Sequence, residues 1–123
     1  MHTDFVDDNE DVLPIMQILL TSQGFEVEVT TNGEKTFELV DRFKPLLIFI
    51  DVQLSGIDGI DGIDISRQLK TAEETKHISI ILVSADIIKP AAFSHSLADE
   101  FIAKPFDIQE LLLKVNKLTR SSD

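Results

Sequence analysis

The sequence predicts an α/β fold: a single domain built on a doubly wound five-stranded parallel sheet, with helices on both faces. Three observations predict it. Short apolar stretches alternate with amphipathic ones along the whole chain, the pattern of repeated β–α units. The run Leu46-Leu47-Ile48-Phe49-Ile50 is apolar at every position, as in a strand buried on both faces of a parallel sheet. The joins are short, and right-handed crossovers then leave few arrangements. Helices split two and three across the sheet, with one reversal of strand order, satisfy them.

Each element has its own signal. Asp4 to Val6 reads as a short first strand, and the charge of Asp4 should shorten or fray it. Asp11 to Ser22 reads as an amphipathic helix whose stripe is Val12, Ile15, Ile18/Leu19 and Ser22. Gly24 suits its C-terminal cap, whereas Pro14 costs a helical hydrogen bond unless the helix starts late. Glu26 to Thr30 alternates around Val27 and Val29, as an edge strand does. Asn32-Gly33 is a turn, Glu34 to Arg42 a second helix, and Pro45 the stop before the central strand. Ile63 to Ala72 is a third helix. The fourth strand lies within His77 to Ser84. Lys89-Pro90 makes the fourth helix, within Pro90 to Ala98, short or displaced. Glu100 to Ala103 is the fifth strand. Asp107 to Arg120 is the clearest helix, opened by an Asp107/Glu110 capping box.

Composition sets bounds. A chain of 123 residues that is 43% hydrophobic and 27% charged makes one globular core. The domain is expected over residues 1–120, with a tail at 121–123. No apolar run approaches the ~20 residues of a membrane span, so no membrane partner is expected. With no Cys, neither a disulfide nor a thiolate metal site exists, and a cytoplasmic location is the default. A formal charge of −11 argues against direct nucleic-acid binding, which needs a positive footprint.

Chemistry concentrates at strand ends. Asp7-Asp8 follows Phe5-Val6, Asp51 closes the central run, and Lys104 follows Phe101-Ile102-Ala103. Open α/β sheets bind ligands outside the carboxyl ends of their strands. Carboxylates gathered there repel one another, and a hard divalent cation with oxygen-only ligation relieves the repulsion. The pattern is that of a site for Mg²⁺ and a phosphoryl group. Asp7-Asp8 also suits the N-terminus of a helix. His2, His77 and His95 share no metal-ligand spacing. Asp58, Asp61 and Asp64 suggest a calcium loop, but Leu69 stands where the bidentate Glu is required.

Five segments, in order, resemble the response-regulator receiver domain over essentially the whole chain. They are Phe5-Val6-Asp7-Asp8-Asn9-Glu10, Leu47-Ile48-Phe49-Ile50-Asp51, Gly56-Ile57-Asp58-Gly59, Ile81-Leu82-Val83-Ser84-Ala85 and Phe101-Ile102-Ala103-Lys104-Pro105-Phe106. The resemblance implies a flavodoxin-like (β/α)5 fold with strand order 2-1-3-4-5. It implies Asp51 as phosphoacceptor, and Mg²⁺ held by Asp8, Asp51 and the Gln53 carbonyl, with Asp7 acting mainly through water. Ser84 and Lys104 are implied to contact the phosphoryl group. Ala85 is the small residue beside it, Phe101 the switch aromatic, and Pro105 follows a cis peptide bond. The implied donor is a sensor histidine kinase or histidine phosphotransfer protein. The implied output is a protein partner at the face formed by the fourth helix, fifth strand and fifth helix. Such a domain is a signalling module that promotes its own Mg²⁺-dependent phosphorylation and dephosphorylation, not an enzyme in the usual sense.

The chain departs from that pattern. Ile57-Asp58-Gly59 recurs as Ile60-Asp61-Gly62, an insertion in the loop after the acceptor, and Ser55 and Ser79 replace prolines. A degenerate receiver, acting as a phosphorylation-independent interaction module, is the alternative. A phosphatase using Asp51 as nucleophile is disfavoured, because Gln53 replaces the second acid of its D-x-D pattern.

Overall fold

A computed structural model describes residues 2–7, 13–33, 35–53 and 61–119. Five parallel strands lie in the order β2-β1-β3-β4-β5: β1 His2–Val6, β2 Glu26–Thr30, β3 Leu47–Asp51, β4 Ser79–Ser84 and β5 Glu100–Ala103. Between and after them run α1 Leu13–Ser22, α2 Lys35–Phe43, α3 Gly62–Thr71, α4 Pro90–Ser96 and α5 Ile108–Thr119. The doubly wound sheet and its strand order are as expected.

The pleat sorts the core into two layers. Phe5, Leu47, Phe49, Ile81, Val83 and Ile102 pack on one face with Met16 and Leu20 of α1 and Leu111 and Val115 of α5. Val6, Ile48, Ile50, Ile80 and Leu82 pack on the other with Val40 of α2 and Ile63, Ile65 and Leu69 of α3, and Phe93 of α4 joins them. β3 is the only strand buried at all five positions, which explains its unbroken apolar run. Leu46 precedes the strand and is 47% exposed.

Two expectations need correction. The first strand is not shortened: β1 pairs with β2 over His2 to Val6 and with β3 over Thr3 to Val6. Asp4 is fully buried within it, and neither carboxylate oxygen has a hydrogen-bond partner. Burial, and then the charge of Glu28 opposite, push the Asp4 carboxyl up to about 7, so it enters the sheet largely protonated below that pH. The stripe of α1 is also turned. Met16 and Leu20 face the core, while Ile15 and Ile18 are 65% and 72% exposed. The fourth helix is short, as expected, and Pro90 starts it, at the position where a missing N–H costs nothing.

At the other end of the last helix, Asp107 Oδ1 accepts from the N–H groups of Gln109 and Glu110 at 2.9 and 3.2 Å, the N-cap the sequence signals. Residues 120–123 lie outside the described residues, so the tail is not described.

Candidate phosphoacceptor site

Asp51 ends β3 and is 3% exposed. Its Oδ1 accepts from the backbone N–H of Gln53 at 3.0 Å, and its Oδ2 accepts from Lys104 Nζ at 3.3 Å. The same ammonium lies 2.6 Å from Oδ2 of Asp7, which is fully buried just after β1. The ends of β1 and β3 are adjacent because Val6 pairs with Ile50. Lys104 reaches them from β5, across β4, and its backbone N–H donates to the Ser84 carbonyl at 2.9 Å. The Lys104–Pro105 peptide is cis.

The electrostatics follow from two buried carboxylates sharing one ammonium. Burial raises the Asp51 pKa; the Gln53 N–H lowers it, the charge and hydrogen bond of Asp7 raise it, and Lys104 lowers it, with a net rise. For Lys104, burial works to lower the pKa, but Asp7 and Asp51 outweigh it and hold the ammonium above the ordinary lysine range. Negative charge remains in excess. An all-oxygen, electron-rich donor set of this kind fits Mg²⁺. Asp8 lies outside the described residues; among those described, no three acidic or histidine side chains form a metal cluster.

Ser84 closes β4 and is 2% exposed; its Oγ accepts from the Asp86 N–H at 3.0 Å. Ala85 is exposed. Phe101 is half-buried in β5, and Lys114 of α5 donates to its carbonyl. The structure thus brings Asp7, Asp51 and Lys104 into contact, with Ser84 on the neighbouring strand end and Phe101 further away on the edge strand.

Of the tandem repeat, Ile57 to Ile60 lies outside the described residues, as does Ser55. Asp61 caps α3, its Oδ1 accepting from the Asp64 N–H at 2.9 Å. Gly62 packs directly on the acceptor's backbone: a Cβ there would stand 2.1 Å from the Asp51 carbonyl oxygen. Gly62→Ala should therefore displace α3 or the Asp51 turn and cost roughly 1–3 kcal/mol, as overpacking at a rigid contact does. Denaturant melts read this directly, and an unchanged midpoint would refute the contact.

Three features were not anticipated from the sequence. One is the Gly62 contact. The second is a hydrogen bond of 2.5 Å from Gln53 Nε2 to Asp86 Oδ2. Matched offsets, two residues after Asp51 and two after Ser84 on paired strands, were the available signal. The third is an open groove of about 770 Å³ between α1 and the turn into α5, lined by Ile15, Ile18, Leu19, Pro105, Phe106 and Ile108 and reaching Ala85 and Lys104. The available signal was that α1 carries more apolar positions than one face can bury.

A doubly wound sheet with carboxylates and a lysine gathered at its carboxyl edge places the ligand-binding end of the domain there. The family model for the response regulator receiver domain matches residues 5–116. This chain belongs to that family, which makes it the phosphoacceptor module of two-component signalling. It is 29% identical over 120 residues to the DNA-binding dual master transcriptional regulator RpaA of Synechocystis sp., covering 96% of this chain and 48% of the relative. It is 30% identical over 118 residues to the DNA-binding response regulator MtrA of Mycobacterium tuberculosis, covering 96% and 50%. The chain therefore spans about half the length of these relatives. A crystal structure of a putative response regulator from Chloroflexus aurantiacus superposes with a TM-score of 0.85 at 28% identity, covering 95% of each chain. The chemotaxis protein CheY4 of Vibrio cholerae shares the fold, with a TM-score of 0.83 at 18% identity over 95% of this chain and 97% of that one. Among the described residues, no helix is long and apolar enough to cross a membrane.

Proposed function

We propose that Asp51 is the phosphoacceptor and that Asp7, Asp8, Asp51 and the Gln53 carbonyl hold Mg²⁺ beside it. The observation that carries this reading is the Lys104 ammonium, 2.6 Å from Asp7 and 3.3 Å from Asp51 at the edge of the sheet. A carboxylate needs no base to become a nucleophile. An Asp51 oxygen attacks phosphorus, the P–N bond to the donor histidine breaks, and the imidazole keeps the electron pair. Attack of water on phosphorus later cleaves the new P–O bond, releasing phosphate and returning the carboxylate. Lys104 neutralises charge on the transferring group in both steps. Bound Mg²⁺ supplies further neutralisation and offsets the repulsion between Asp7 and Asp51.

The same chemistry gives the switch. A phosphoryl oxygen on Asp51 attracts the Ser84 hydroxyl, and the loop after β4 follows. Phe101 then has space in which to turn, so the α4–β5–α5 face changes shape for a downstream protein. Two discrete states biased by one charged group suffice.

A histidine-bearing donor must approach Asp51 over the adjoining surface. The exposed apolar surface formed by Ile15 and Ile18 of α1 and Ile108 of α5 fits a helical donor of complementary apolar character. Labelling with acetyl phosphate, with and without Mg²⁺, tests the acceptor reading; label that ignores Mg²⁺ would contradict it. Ile15→Lys with Ile18→Lys tests the donor face. Transfer from a phosphorylated protein donor should fall about tenfold or more, as when interface anchors are lost, while labelling by acetyl phosphate stays unchanged. Equal losses with both donors would argue against docking.

A further inference from the structure

We propose that α2 and the edge strand β2 form a flap over Asp4, which opens ahead of the rest of the fold when that carboxyl loses its proton. Asp4 is fully buried within β1, and neither of its oxygens has a hydrogen-bond partner among the described residues. It lies on the α2 side of the sheet. Ile48, opposite it on β3, packs in the layer under α2 and α3, whereas the next residue, Phe5, packs in the other layer. Its cover is held by packing alone. α2 lies across β1 and β2, and its buried face is Thr36 and Val40. Among the described residues, no side chain of α2 makes a hydrogen bond or ion pair to another element; Asp41 pairs with Lys44 just past the helix end. Thr36 Oγ1 is itself buried without a partner. By contrast, Ser66, Arg67 and Lys70 tie α3 to the α4–β5 corner, and Lys114 and Lys117 tie α5 to β5.

The groups around Asp4 offer an ionised carboxylate no compensation. On β2, Glu28 stands opposite it. Glu26, one pair further down, is engaged by His2 Nε2 at 2.8 Å, and His2 lies two residues from Asp4 on the same face of β1. β3 presents Ile48, and α3 presents Ile63, Ile65 and Leu69. α2 turns Thr36 and Val40 inward, while its Lys35, Glu38, Asp41 and Arg42 are exposed. A buried charge without cation or donor must reach water or stay protonated. The path of least resistance runs outward, past the edge strand and a helix that forfeits no polar contact on leaving. Burial and Glu28 raise the Asp4 pKa to about 7 in the closed fold, and the opened group returns toward the ordinary carboxylate range. Closure is therefore strongest at low pH, weakens as pH rises toward about 7, and stays weak above it. Opening reaches the edge of the sheet that carries the site, because the Thr30 carbonyl at the end of β2 accepts from the Asp7 N–H at 3.1 Å.

Backbone amide exchange, resolved residue by residue by NMR and corrected for the intrinsic effect of pH, tests the flap. Amides of α2 and β2, and that of Asp7, should lose protection together by up to about tenfold per pH unit from about pH 5 to about pH 7, then level off. Amides of β4 should stay at least roughly tenfold better protected throughout, which marks the opening as local. Asp4→Asn is nearly isosteric and cannot ionise, so it should abolish the pH slope in α2 and β2. Asp4→Val should do the same, and it serves if the amide variant does not fold. Thr36→Val removes the other unpartnered polar atom without touching the titrating group, and should keep the slope. Glu28→Gln should end the rise at lower pH. Protection in α2 and β2 that does not change with pH overturns the proposal. Loss of protection in step across α2, β2 and β4 overturns it as well, since only the whole fold would then open. A slope that persists without Asp4 assigns the effect to another group and does so too.

Discussion

Asp51→Asn should abolish phosphoryl labelling while the protein melts at or above the parent temperature. Loss of label follows because the amide has no anionic oxygen to attack phosphorus, and no other described carboxylate both contacts Lys104 and ends the central strand. Retained stability follows from the environment. Asp51 is buried beside Asp7, and burial with that neighbouring charge raises its pKa. A group whose folded pKa is raised costs stability as pH rises through it. The nearly isosteric, neutral amide removes that cost, and Lys104 keeps its 2.6 Å contact with Asp7. Stoichiometric label persisting in the variant, mapped to Asp7, Asp8 or Asp58, would withdraw the acceptor assignment. A large fall in melting temperature would contradict the electrostatic account.

Asp4→Val should stabilise the fold strongly at neutral and alkaline pH. Asp4 is wholly buried, both its oxygens lack partners, and its carboxyl is pushed to about 7 by burial and by Glu28. The unfolded chain ionises the same group near its ordinary value of 3.8. The associated stability is therefore fully present below about pH 4, declines as pH rises toward about 7, and is gone above it. At about 1.4 kcal/mol per pKa unit, discounted for relaxation around the charge, the gain above neutrality is roughly 2–4 kcal/mol. The groups facing Asp4 bear this out. Glu28 lies opposite on β2, Ile48 opposite on β3, and the cluster against that face is aliphatic. β-branched Val fills a strand position of that kind without a polar group. Urea unfolding of parent and variant from about pH 4 to about pH 8 should show the difference growing with pH. A pH-independent difference would show that Asp4 does not titrate in this range. Glu28→Gln should shift the transition to lower pH.

Much of the fold was legible because its signals are local. The apolar run ending at Asp51, the alternation of β2 and the Asp107 cap depend on neighbours in sequence, and they reappear as β3, an edge strand and the start of α5. Asp51, Asp7 and Lys104 were legible as a site for a different reason. A parallel sheet with right-handed crossovers brings all strand C-termini to one edge, so residues distant in sequence meet there by topology alone. Their contact through the Lys104 ammonium is a consequence of that rule.

Other features required the tertiary structure. The sequence of α1 is apolar at Leu13, Ile15, Met16, Ile18, Leu19 and Leu20, more positions than one face can bury. Periodicity therefore could not choose its orientation. Packing against Phe5 and Phe49 chose Met16 and Leu20, and left Ile15 and Ile18 to form the groove beside Lys104. Asp4 reads as a strand breaker when its charge is taken as given. The folded core instead neutralises it, because backbone pairing on both sides outweighs the cost of protonation near neutral pH. The repeated Ile-Asp-Gly is symmetric as sequence, and only the approach of α3 to the Asp51 carbonyl decides that Gly62 must lack a side chain. Local sequence carried the elements, their order and which charged side chains stand at the strand ends. Tertiary packing decided the facing of α1, the charge state of Asp4 and the pairing of Gln53 with Asp86, because each depends on contacts between elements that no local pattern encodes.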